Sequence, residues 1–121
     1  MDSITITVKT ESLKSLQSTI AKFEKAFLQM TEKGANTTLL QKRLQAHYVG
    51  LAVLEHAWNS KPLPYSGEEL ADALNVLAGL FPSLSKSNGK SKTGSPQRTL
   101  LSRRIRALEL AVQAIEEKLA Q

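Results

Sequence analysis

The sequence predicts an all-α protein, a four-helix bundle of up-down type preceded by an N-terminal extended strand or arm. Three observations predict it. Four apolar stripes recur at steps of three and four residues. Proline, glycine and capping residues separate them. One short stretch alternates with period two, and no second strand accompanies it.

That stretch comes first. Ile4, Ile6 and Val8 alternate with Thr5, Thr7 and Lys9. Alternation of β-branched residues is a strand signal. Residues 1–10 are therefore read as a strand or arm. It can pair with a copy of itself, add to a partner's sheet, or stay extended. Residues 11–121 are read as a single helical-bundle domain.

Glu11 to Lys33 reads as the first helix, with its stripe on Leu13, Leu16, Ile20, Phe23, Phe27 and Met30. Thr10 or Ser12 can cap its start, and Gly34 can take the left-handed cap at its end. Asn36 to about Trp58 reads as the second helix, striped by Leu40, Leu44, His47, Leu51, Leu54 and Trp58. Thr38 and Gln41 have capping-box spacing. Gly50 weakens this helix by up to about 1 kcal/mol relative to alanine, and it admits a neighbour at short range.

Pro62 and Pro64 break the chain. Ser66 and Glu69 then form a capping box for a third helix striped by Leu70, Leu74, Leu77 and Phe81, with Pro82 after its end. Ser83 to Gly94 is serine, lysine, glycine and asparagine with little else, and it reads as a flexible basic loop. Ser95 and Pro96 restart helix as N-cap and first helical residue. The last stripe, Leu101, Ile105, Leu108, Val112, Ile115 and Leu119, is the most regular. Leu110 points nearly opposite it, and Leu100, Ala107 and Ala114 extend a second apolar side. A helix with two apolar sides is either central in its bundle or used by a second chain.

Charge is asymmetric. Residues 1–82 carry eight basic and eight acidic side chains, whereas residues 83–121 carry eight basic and three acidic. The whole net charge of +5 therefore sits in the last third. Lys86, Lys90, Lys92, Arg98, Arg103, Arg104 and Arg106 are the candidate anion or nucleic-acid ligands. The competing reading is a solvated loop and helix start, with arginine stems covering core edges. No aromatic residue is interleaved among them, so base stacking is not expected.

Catalytic and metal signatures are sparse. The chain has no cysteine, which removes disulfides, thiolate chemistry and cysteine zinc sites. Gly89-Lys90-Ser91 matches the end of a phosphate-binding loop, but Leu84 stands where the first glycine belongs. His47 and His56 are nine residues apart, about 180° apart on one helix, so they cannot share a metal. His47 reads as a stripe histidine hydrogen-bonded to a neighbour, and His56 as solvated beside Glu55. Neither a serine triad nor a working carboxylate pair is marked. No cofactor and no metal are expected.

The N-terminus lacks a basic start and a long apolar run, so no signal peptide is expected, nor any membrane span. The sequence supports a cytoplasmic, non-enzymatic adaptor or regulatory bundle that binds a protein partner or itself, as in a homodimer. Ile4, Ile6, Val8, Leu100 and Leu110 are its candidate interface. The alternative is a nucleic-acid-binding accessory protein using the basic loop and the start of the last helix. The third reading is an enzyme with a site between helices near His47.

Overall fold

Five helical segments form along the chain in the computed structural model, which describes residues 4–121: α1 (Ile6–Glu32), α2 (Thr38–Asn59), α3 (Gly67–Ala78), α4 (Phe81–Lys90) and α5 (Pro96–Leu119). Only Gly79 and Leu80 separate α3 from α4. The two together make one bent member, so the protein is an all-α arrangement of four helices. No strand occurs among the described residues.

Local chemistry sets most of the boundaries. Thr5 Oγ1 accepts the Val8 N–H at 3.2 Å and caps α1. At the other end Ala35 N–H donates to Met30 O and Gly34 N–H to Thr31 O, the paired closing bonds of a Schellman turn. Gly34 has φ +70°, which a Cβ would make costly. α2 is capped at Thr37, whose hydroxyl accepts Gln41 Nε2 at 2.7 Å, and Asn36 Oδ1 accepts the Thr38 N–H. The capping box expected from Thr38 and Gln41 does not form; the cap residue is Thr37, and its hydroxyl takes a side-chain bond instead of a backbone N–H. Ser66 and Glu69 exchange both bonds of a capping box at α3. Ser95 Oγ accepts the Arg98 N–H at 3.1 Å, and Pro96 opens α5.

α1 runs antiparallel to α2: Lys9 lies over Trp58 near one end, and Phe23 meets His47 further along. α5 runs parallel to α2, with Ala111 level with Gly50 and Lys118 level with His56. α2 and α5 each pack on α1 and α3, and they also pack on each other. They form the short diagonal of the bundle. Small residues allow it. A Cβ on Gly50 would stand 3.3 Å from Leu77 Cδ1 and 3.4 Å from the Ala111 Cβ. Ala46, Ala107 and Ala111 are buried around the same crossing, beside Leu54, Leu77, Leu108 and Ile115.

Two sequence expectations are corrected here. Of the strand or arm expected over residues 1–10, Ile6 onward is instead the start of α1, with Thr5 as its extended N-cap and Ile4 before it; residues 1–3 lie outside the described residues. Ile4, just before the cap, and Val8, in the first turn, both pack against the core. Ile6, between them, is left 82% exposed. Burial of the pair and the Thr5 cap outweigh the β-branched preference. The flexible loop over 83–94 is largely α4. Leu84 is buried in the core and Phe81 packs beside it. Pro82 lies in the first turn of α4, where a missing N–H removes no helical bond, so it opens a helix rather than only ending one.

Candidate interaction surface

The seven basic residues do not gather into one patch. Lys86 and Lys90 are exposed one turn apart on α4, and Lys92 is exposed just beyond it. Arg98 is half-buried and donates from Nη1 to the Ser91 carbonyl at 3.1 Å, closing the α4–α5 connection. Arg103 pairs with Glu11 at 3.1 Å. Arg106 is exposed beside the start of α1, near Val8. Arg104 turns the other way, with its guanidinium carbon 5.9 Å from the centre of the Phe23 ring.

The candidate interface residues also separate. Ile4, Val8 and Leu110 meet on the wall of an open cleft of about 770 Å³ between the start of α1, the end of α2 and α5. Leu110 is buried, and this corrects its assignment to a second chain: the second apolar side of α5 belongs to a helix in the middle of its own bundle. Ile6 projects away, and Leu100 is 62% exposed at the opposite end of α5.

That opposite end is distinctive. On α1 the buried positions are Ser12, Leu16, Thr19 and Ile20, and on α2 they begin at Ala46. No residue between 21 and 45 is buried. On α5 the buried positions begin at Ala107. Three helices thus lose their cover at one level. Beyond it, Phe23, Phe27 and Met30 continue the α1 stripe, and Leu40 and Leu44 continue that of α2. All five are half-buried, and none is among the side chains packed on the hydrophobic core cluster. Leu100 lies one turn beyond Arg104 on the same side of α5.

Phe23, His47 and Arg104 form the floor of this open end. The His47 and Phe23 rings meet edge to face, 5.0 Å between centres. His47 is fully buried. Its Nδ1–H donates to the Arg43 carbonyl at 2.7 Å, which leaves Nε2 as an acceptor without a partner. Arg104 Nε–H is likewise buried without an acceptor. Burial lowers the His47 pKa; the Arg43 hydrogen bond opposes this, and repulsion from Arg104 and Arg43 adds to it. Burial, and then the charge of Arg43, lower that of Arg104. Among the described residues, neither Arg43 nor Arg104 pairs with a carboxylate.

His56 sits elsewhere, donating from Nδ1 to the Lys61 carbonyl with Lys118 Nζ at 3.4 Å from Nε2. Among the described residues no three His, Cys, Asp or Glu side chains converge as metal ligands. Among the same residues no helix is long and apolar enough to cross a membrane.

Sequence periodicity assigns Phe27, Met30, Leu40 and Leu44 to a core that does not reach them. Relative helix length is the signal that points to them. α3 has 12 residues against 27 in α1 and 22 in α2, so it cannot line their full length. Comparison with protein-family models, characterised proteins and solved structures finds no match for this chain.

Proposed function

We propose that this chain is a non-enzymatic interaction module that binds a protein partner through the open end of its bundle. One observation carries the reading. The apolar stripes of α1 and α2 run on past Phe23 and His47, beyond the last buried positions, so Phe27, Met30, Leu40 and Leu44 stay only partly buried and outside the core cluster. Apolar side chains left partly exposed along two neighbouring helices are candidates for contact with a partner. Phe27, Met30 and Leu44 supply the aromatic and flexible apolar anchors that helix-in-groove recognition uses.

The test is size-exclusion with light scattering, coupled to affinity retention, on the native chain and on a Phe27→Asp/Leu44→Asp variant. The native chain is expected to retain a partner or self-associate, and the variant to lose this with its helical circular dichroism unchanged. A native chain that stays at 13.3 kDa and retains nothing the variant loses refutes the reading.

A second reading rests on Lys86, Lys90 and Lys92, which are exposed on and just after α4. They suit weak, salt-sensitive binding of nucleic acid without base readout. A mobility-shift assay decides it: no shift at low salt removes it.

A further inference from the structure

We infer that the open end of the bundle is built for an acidic amphipathic helix, with its apolar face on Phe27, Met30, Leu40 and Leu44 and a carboxylate on Arg43 and Arg104. This rests on the interaction reading above and names the occupant.

The argument is one of charge complementarity. The apolar stripe of α2 is interrupted by Arg43, three residues from Leu40 and four from His47. Arg104 reaches the same floor from α5, held over the Phe23 ring. Both arginines border the Phe23–His47 pair: the Arg43 carbonyl accepts His47 Nδ1–H, the Arg104 guanidinium lies over Phe23, and the charge of Arg43 lowers the Arg104 pKa. Neither has a carboxylate among the described residues, although Arg103, next in sequence to Arg104, has Glu11. Holding two like charges beside a buried histidine opposes folding of the free chain. Arg104 Nε–H is also sealed from water with no acceptor, a desolvation loss that no bond in the chain offsets.

A carboxylate placed between the guanidinium groups would remove the repulsion and supply charge-assisted acceptors to the fork of each. A second copy of this chain is the poorer occupant. It carries +5 itself and would bring Arg43 and Arg104 toward their own counterparts. A helix fits the apolar part. Phe23, Phe27 and Met30 lie at steps of four and three along α1, and Leu40 and Leu44 four apart along α2, so two parallel ridges flank the position an added helix would fill.

The full chain is used to select binders from a display library of single amphipathic helices with randomised polar faces, with the Phe27→Asp/Leu44→Asp variant as counter-selection. Light scattering is run alongside. Enriched helices are expected to be net acidic. Their affinity should fall at least tenfold against Arg43→Glu, and that variant should melt at a higher temperature than the native chain, because the new carboxylate sits beside Arg104. A gain in stability with a loss of binding is a pair of changes that damage to the fold does not produce. Enriched helices that are neutral or basic, and indifferent to Arg43→Glu, overturn the inference while leaving the interaction reading intact. A dimer of the native chain that Phe27→Asp dissociates replaces the acidic helix by a second copy. Binders that ignore Phe27→Asp/Leu44→Asp overturn both the inference and the reading beneath it.

Discussion

Replacing His47 by leucine should remove the pH dependence of folding that a buried, neutral His47 is expected to give between pH 7.5 and 5.5. His47 is fully buried, and desolvation is the first cause that depresses its pKa, with the nearby arginines adding to it. The folded chain therefore resists protonation at a site where the unfolded chain accepts a proton near the ordinary value of 6.5. Stability is full above 6.5 and declines as the pH falls through 6.5 toward the folded value. With the folded histidine neutral throughout, the unfolded state gains about 1.4 kcal/mol between pH 7.5 and 5.5, the largest change one histidine can give over that interval.

Leucine has nearly the same volume, and it removes the orphaned Nε2 together with the bond to the Arg43 carbonyl. At pH 7.5 the two proteins should agree to within about 1 kcal/mol. At pH 5.5 the leucine variant should gain up to about 1.4 kcal/mol on the native chain. Urea titrations followed by the fluorescence of Trp58, the single tryptophan, measure both. Equal pH dependence in the two proteins would refute the assignment of a buried neutral imidazole.

Gly50 and α4 offer two further tests. At Gly50, alanine gains about 1 kcal/mol of helix propensity and must push on Leu77 and Ala111, so denaturation should show little net change. Valine adds two methyl groups where no space remains and should lose about 2 kcal/mol or more; a valine variant as stable as the native chain would show that α2 and α5 do not meet there. Leu84→Ala should destabilise by about 2–3 kcal/mol in urea titration, because Leu84 is buried in the core. An unchanged midpoint would return residues 83–90 to the slack loop that their composition suggests.

The contrast between Ser95 and Ser83 shows what a chain makes legible. Ser95 followed by Pro96 is a complete local instruction, since the serine hydroxyl and the proline φ act within one turn. The same holds for Ser66 with Glu69 and for Gly34. Ser83 to Lys90 carries no such instruction. Its helix depends on Leu84 finding the core and on contact with α5, which composition does not encode. Ile4, Ile6 and Val8 are ambiguous for a different reason: their β-branched alternation suits a strand, while the Thr5 between them can cap a helix that starts at Ile6.

The candidate surface was legible in pieces. Its apolar residues stand out as stripes, and Arg104 stands out by charge, but periodicity reports which side of a helix is apolar and not how far along it a neighbour extends. Arg43 carried no signal at all in a run of balanced charge. It gains its meaning only from standing near Arg104, sixty-one residues away in sequence.

The sequence alone determined the all-α class, most of the helix ends and the apolar face of each long helix, because caps, breakers and periodicity are short-range effects within one turn or two. Tertiary structure decided the rest. It placed α2 and α5 on the short diagonal, turned Leu110 inward, made a helix of α4, and ended the core at Phe23, His47 and Arg104. Each of these depends on which distant surface arrives to exclude water, and a three-residue or four-residue period holds no information about that.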